Sequence, residues 1–363
     1  MATVVNPDAS FWSGKRVLVT GHTGFKGAWL WLWLTELGAV PSGLSLEPET
    51  SPSLWRVIED PERERSRICD IRNGPAVLRH MQEFQPEIVL HLAAQALVRR
   101  SYSDPIGTMA TNVIGTANVL EAVRASSSVR AVVSVTTDKC YLNREWFWPY
   151  REEDPLGGYD PYSASKACAE IVTAAWRQSF FARREVGVAT ARAGNVIGGG
   201  DWSLDRLLPD CLAALARSEP IKIRNPDATR PWQHVLEPLS GYLVLAERLH
   251  GSVAENGPDV AEPWNFGPDG HDVRPVSAVA DRIVALWGGD ARWERSGEVG
   301  PHEAGLLALD ASKARARLGW RPRLQLDEAL AWTVDWHRRY QRGEDARALV
   351  LEQVQAYEAR LFS

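Results

Sequence analysis

The segment from Ser134 to Glu170 holds the side chains best suited to moving protons. Thr136-Thr137-Asp138-Lys139 closes an apolar run, and Tyr162-Ser-Ala-Ser-Lys166 follows on an expected helix. Residues four apart on a helix share one face, so Tyr162 and Lys166 would stand side by side. An ammonium beside a phenol favours the phenolate, which predicts a Tyr162 pKa drawn down from about 10 toward working pH. Such a phenolate is a general base for an alcohol proton. Asp138, with Thr137 and Lys139 at its sides, would be a second proton-transfer centre. Oxidising an alcohol and then eliminating water needs both centres.

A frame must bring these groups together. Arg16-Val-Leu-Val-Thr20 reads as a short buried strand, and Gly27 to Leu37 as a helix closed by Gly38. Between them lies Gly21-His-Thr23-Gly24-Phe25-Lys26-Gly27, spaced Gly-x-x-Gly-x-x-Gly. Glycines at a strand-to-helix turn let backbone amides approach a pyrophosphate, which makes Gly21, Thr23, Gly24, Phe25, Lys26 and Gly27 candidate dinucleotide contacts. A second strand is expected over Val40 to Leu46. An acid for the ribose hydroxyls is expected about 20 residues past the glycines, yet Ser45 stands there, so this position does not separate NAD from NADP. Asp70 and Ile71, after a short third strand, would meet the adenine or form a plain turn. Leu92, Ala93, Ala94 and Gln95 end a fourth strand with small residues over which a cofactor could lie.

Ala131 to Val135 and Gly187 to Ala191 read as a fifth and a sixth strand. Asp104-Pro105 and Asp160-Pro161 each read as a helix cap followed by a first-turn proline. Strands alternating with helices imply an α/β, doubly wound parallel sheet, Rossmann-like, over residues 1–195. Beyond Asn195 the alternation degrades into loops rich in Pro, Trp and Arg. Residues 196–363 are therefore expected to form a smaller mixed α/β substrate domain, with part of 235–265 able to return to the first domain. Helices are expected over Asp327 to Arg339 and Asp345 to Leu361. Arg192, Asn195, Arg230 and His234 are placed on loops facing one side, where guanidinium groups suit a diphosphate. His302 is a rim candidate.

The bulk numbers exclude several classes. Among 363 residues, 45% are hydrophobic and 24% charged, as in an ordinary globular protein. A net charge of −5 with scattered Lys and Arg argues against nucleic acid as partner. Cys69, Cys140, Cys168 and Cys211 lack zinc spacing and form no dense disulfide framework, so free thiols in a reducing cytoplasm and no metal site are expected. The N-terminus lacks a basic region followed by an apolar one, so no signal peptide is expected. The apolar run Ala28 to Leu34 is far shorter than the roughly 20 residues of a membrane span, which predicts a buried helix and no membrane partner.

Long segments resemble the nucleotide-sugar 4,6-dehydratases among the extended short-chain dehydrogenase/reductases. They are Val19-Thr-Gly-His-Thr-Gly-Phe-Lys-Gly27, Thr136-Thr-Asp-Lys-Cys-Tyr141, Asn143-Arg-Glu-Trp146 and Asp154-Pro-Leu-Gly-Gly-Tyr-Asp-Pro-Tyr-Ser163. Arg192-Ala-Gly-Asn-Val-Ile-Gly-Gly-Gly-Asp201 and Arg230-Pro-Trp-Gln-His-Val-Leu-Glu-Pro238 extend the likeness over nearly the whole chain. It implies bound NAD and a nucleotide-sugar substrate, CDP-glucose, while the small-residue faces of two helices, which permit close packing, point to a homodimer or a tetramer. It also implies Tyr162 as base, Lys166 as its partner on the nicotinamide ribose, Thr137 near carbon 4 and Asp138 as the acid at carbon 6. That acid must hold a proton, so Asp138 is expected to be buried. The dTDP-glucose branch has Glu, its carbon 5 base, where Lys139 stands, so the base at carbon 5 stays open. A dehydratase of dTDP-glucose or GDP-mannose, a 4-epimerase and a non-catalytic dinucleotide sensor are the alternatives.

Overall fold

A computed structural model describes residues 5–182, 186–255, 260–297 and 304–360. Six strands follow the chain in order: β1 (Arg16–Thr20), β2 (Val40–Ser45), β3 (Ser66–Ile68), β4 (Ile88–His91), β5 (Ala131–Val135) and β6 (Gly187–Ala193). Their spatial order is 3-2-1-4-5-6, every pairing is parallel, and Pro263–Phe266 adds a seventh parallel strand outside β6. The order reverses between β1 and β4, which opens a crevice at the carboxyl ends of the strands. Thr20 pairs with His91, His91 with Ser134, and Ser134 with Thr190, so these strand ends stand in a row. The loops that follow carry the glycine turn, Leu92–Gln95, Thr136–Lys139 and Asn195.

Strand residues alternate between two cores. Val17, Val19, Leu90 and Val133 face one; Leu18, Val89, Val132 and Val188 face the other. Parallel strands covered on both faces read as continuous apolar runs, and these do. On the first face, Phe25–Glu36 is apolar all round, with every residue from Ala28 to Leu34 fully buried. Trp29 Nε1 donates to Gly199 O at 2.9 Å, so even its polar edge is satisfied. Leu236–Glu255 packs beside it against β5 and β6.

Both expected caps form. Asp104 accepts from Gly107 N at 2.9 Å, and Asp160 accepts from Ser163 N at 2.9 Å to open the helix Pro161–Trp176. The C-terminal helices span Leu326–Gln341 and Ala346–Ala359. Several boundaries differ from expectation by a residue or two, and two of them have a cause in the local geometry. The first long helix begins at Phe25, because Gly24 already takes the extended cap conformation. β6 runs on to Ala193, because Asn265 and Phe266 pair with Arg192 and Ala193 and hold them extended. Among the described residues no helix is long and apolar enough to cross a membrane, and no cluster of His, Cys, Asp or Glu could hold a metal.

Candidate active site

The glycine turn is shaped by steric need at two positions. Gly21 has φ +76°, and a Cβ there would sit 2.7 Å from Ala93 N. A Cβ at Gly27 would collide with the Gly21 carbonyl oxygen, so the helix packs onto the turn with no room for a side chain. Thr23 Oγ1 bonds to Ser45 Oγ at 2.7 Å and donates to Leu46 O at 2.8 Å, tying the turn to the end of β2. Phe25 packs against the first core. Ala93 N donates to Thr20 Oγ1 at 3.2 Å, and Gln95 N donates to Asn112 Oδ1 at 2.8 Å. Asn112 lies in a widened helical turn, Ala110–Ile114, and also donates to Ser165 Oγ at 2.8 Å. One amide therefore fastens the loop after β4 to the helix that bears Tyr162. Asp70 pairs with Arg72, and Ile71 is buried under Gly115.

A cavity of about 710 Å³ opens along this edge of the sheet. Lys26, Leu92 and Ala94 line it from the nucleotide side, and Thr137, Asp138, Lys139, Tyr162 and Lys166 from the centre. Asn195 and Arg230 complete it from the second half of the chain. Asp138 is 1% exposed; its Oδ1 accepts from Thr137 Oγ1 at 2.9 Å and lies 4.0 Å from Lys139 Nζ. Its Oδ2 is buried with no hydrogen-bond partner among the described residues. Lys166 Nζ donates to Val135 O at 3.2 Å, which pins the amine to the end of β5.

The electrostatics correct one expectation. Burial pushes Tyr162 up to about 12, against the hydrogen bond with Thr137, rather than down toward neutrality. Burial also pushes Lys166 down to about 8, opposed by Glu170. Loss of water penalises phenolate and ammonium alike, and in this pocket burial is the largest influence on both. Lys26 is pushed down to about 7 by burial and then by the charges of Lys166 and Arg206, with Asp138 opposing.

Two expected substrate contacts lie elsewhere. Arg192 is 2% exposed inside β6, where its Nε and Nη2 donate to Glu170 at 3.0 and 2.9 Å; it does not line the cavity. His234 is fully buried between the edges of Trp29 and Trp332, and burial pushes it down to about 3. An uncharged imidazole packed by indoles is core, not a ligand for diphosphate. His302 lies outside the described residues. Arg99, Arg206 and Arg224 line the cavity and were not singled out from sequence. Arg206 pairs with Asp201 at 3.3 Å, and Arg99 and Arg224 share Asp205 at 3.1 and 3.2 Å. Arg206 follows closely on the Gly-Gly-Gly-Asp201 segment, the one signal that could have pointed to it.

A phenol, an amine and a dry carboxyl thus share one cavity beside a dinucleotide-type turn, a set able to oxidise an alcohol and protonate a leaving hydroxyl. Residues 18–257 match the profile of the GDP-mannose 4,6 dehydratase family. The chain is 53% identical over 343 residues to the CDP-glucose 4,6-dehydratase of Salmonella typhimurium, covering 93% of this chain and 94% of that protein. It is 28% identical to the dTDP-glucose 4,6-dehydratase of Xanthomonas campestris, over 88% of this chain and 92% of the relative. Among solved structures, an epimerase of Methanothermobacter thermautotrophicus superposes with a TM-score of 0.79 at 23% identity, covering 92% of this chain and 95% of that one. The dTDP-glucose 4,6-dehydratase DesIV of Streptomyces venezuelae, solved with NAD bound, gives a TM-score of 0.73 at 23% identity, covering 92% and 99%. These likenesses show the fold, and the sequence match over residues 18–257 and beyond shows that the chain belongs to the GDP-mannose 4,6-dehydratase family of nucleotide-sugar dehydratases.

Proposed function

We propose that the protein converts CDP-D-glucose to CDP-4-dehydro-6-deoxy-D-glucose, a hydro-lyase reaction with bound NAD recycled within each turnover. The observation that carries this reading is the buried carboxyl of Asp138 lining the same cavity as Tyr162 and Lys166. The named activity of the relative 53% identical over 93% of this chain supports the substrate. NAD fits the turn, because Gly24 opens the helix Phe25–Glu36 with no side-chain cap, which leaves first-turn amides for a pyrophosphate. Held at the Gly21–Gly27 turn, with Lys26, Leu92 and Ala94 lining the cavity beside it, NAD would supply a hydride acceptor for carbon 4 and a hydride donor for carbon 6, and a positive charge that favours the Tyr162 phenolate.

Tyr162 removes the proton of the 4-hydroxyl, with Thr137 hydrogen-bonded beside it. Lys166, fixed on Val135 O one helical turn beyond Tyr162, would supply positive charge to that end of the cavity. The new ketone acidifies the carbon 5 proton. Lys139 Nζ lies 4.0 Å from the Asp138 carboxyl in the same cavity, and we give it the transfer of this proton away from carbon 5 and of a proton back to carbon 5 as hydride reaches carbon 6. Asp138 protonates the departing 6-hydroxyl, and the surrounding core keeps bulk water from competing. Arg230 and Asn195 hold the diphosphate side of the substrate. An epimerase needs no acid for water loss and would leave Asp138 without a task.

The same proposal divides the chain at 195/196. Residues 1–195 bind the dinucleotide and 196–363 the sugar nucleotide, with Pro263–Phe266 returning to the first sheet. It also includes a cytoplasmic setting, which the four free cysteines suit, and a homodimer. Exposed Ile106 and Ile114 on one helical stretch and Ile171 on the Tyr162 helix offer apolar surface for such pairing. The test is incubation with CDP-glucose, dTDP-glucose and GDP-mannose in heavy water. Loss of one water from CDP-glucose alone, with deuterium entering at carbon 5, is expected. Water loss from another donor would overturn the substrate, and stoichiometric release of NADH would overturn the mechanism.

A further inference from the structure

Arg192 is not a ligand of the substrate, yet its partners converge on the catalytic loop. The Glu170 carboxylate sits one helical turn beyond Lys166 and is 2% exposed. It accepts four hydrogen bonds: from Thr136 Oγ1, from Thr190 Oγ1 at 2.6 Å, and from Arg192 Nε and Nη2 at 3.0 and 2.9 Å. Four is about the full capacity of a carboxylate. Burial pushes Glu170 up, but the Arg192 charge and these hydrogen bonds outweigh it and hold the carboxyl below its usual range. The other arm of the guanidinium, Nη1, donates to Tyr141 Oη and to Glu152 O, both at 2.9 Å, and Tyr141 Oη donates in turn to Asn265 Oδ1 at 2.7 Å.

Thr136 and Tyr141 are the two ends of the segment that presents Thr137, Asp138 and Lys139. One end is bonded to Glu170 and the other to Arg192, and Glu170 belongs to the helix of Tyr162 and Lys166. We infer that the buried Glu170–Arg192 pair is a positioning device that clamps both ends of the acid-bearing loop onto the base-bearing helix, so that oxidation at carbon 4 and water loss at carbon 6 stay in register. Neither residue lines the cavity. The inference rests on the proposed dehydration for its kinetic reading, and the clamp itself is structural.

Removing either charge would strand the other in the core, so the test removes the pins instead. Tyr141→Phe keeps the ring that lies 4.9 Å from the guanidinium carbon and deletes the hydroxyl. Thr136→Val deletes the other pin at nearly constant volume. Each variant loses a hydrogen bond to a charged partner, Glu170 or Arg192, which is expected to lower kcat about 10–100-fold, with KM within about twofold. The steady-state fraction of reduced nicotinamide should rise, because oxidation outruns elimination. Amide hydrogen exchange over residues 136–141 should speed up in both variants, with or without substrate. Unchanged exchange in both would overturn the clamp whatever the substrate is. Faster exchange with wild-type kcat and wild-type reduced fraction would overturn its role in catalysis. Wild-type inactivity on CDP-glucose would strike the proposed function instead and leave the exchange result to judge the clamp.

Discussion

Asp138→Asn separates the two halves of the proposed reaction. Asparagine matches aspartate in shape, and its amide oxygen can keep the 2.9 Å hydrogen bond from Thr137 Oγ1. The other oxygen has no partner among the described residues, so exchanging it for an amide nitrogen breaks no bond, and stability should move by only about 1 kcal/mol. Chemistry should change far more. Losing a positioned general acid costs about 10²–10⁴-fold, or about 2.7–5.4 kcal/mol of barrier. Tyr162 and Lys166 remain, so carbon 4 should still be oxidised. Rapid mixing with substrate should therefore show reduced nicotinamide forming at near the wild-type rate and then persisting. Mass spectrometry should find a 4-keto sugar that still bears its 6-hydroxyl. Wild-type turnover in a folded Asp138→Asn protein would remove the acid from the mechanism. Failure to form reduced nicotinamide at all would reassign Asp138 to the oxidation step.

His234→Phe should leave KM within about twofold, because the ring lies in the core, and a rise of more than tenfold would restore it as a substrate contact. The same variant has a pH signature. The folded His234 pKa, about 3, lies below the unfolded value of 6.5, so its stabilising share is present above 6.5 and lost as pH falls toward 3. The wild type should lose up to about 1.4 kcal/mol per pH unit below 6.5 relative to the variant, read from urea melts across that range. Gly27→Ala forces a methyl onto the Gly21 carbonyl and should cost about 1–3 kcal/mol with loss of copurifying NAD; normal melting and full NAD content would contradict the packing argument. Arg230→Ala should raise KM for the sugar nucleotide by about 10–100-fold with kcat little changed, as expected for one lost charge-assisted contact, and an unchanged KM would remove Arg230 from the diphosphate.

What could be read from the chain was what neighbours in sequence decide. β1 and β5 begin and end where their apolar runs do, and Asp104 and Asp160 cap the helices their prolines announce. The cavity members Tyr162, Lys166, Thr137 and Asp138 sit at the ends of such elements, so their convergence followed from the order of strands. Arg192 and His234 misled because a charged or polar side chain after an apparent strand end looks like loop. Both are buried by partners remote in sequence: Glu170 for the arginine, Trp29 and Trp332 for the imidazole. Tyr162 misled in sign. The helical spacing announced the amine beside it, but the extent of water exclusion depends on the whole pocket. The arginines at 99, 206 and 224 enter the cavity from three separate stretches and had no local pattern to mark them.

The late arrival of Pro263–Phe266 has a consequence for how the chain emerges from a ribosome. Until that strand is synthesised, β6 presents an unpaired apolar edge, a template for adhesion to other nascent chains. A fragment cut near residue 195 would retain the same raw margin. Expression of the nucleotide-binding half by itself should therefore yield aggregates, and recovery should require carrying the polypeptide through at least Phe266.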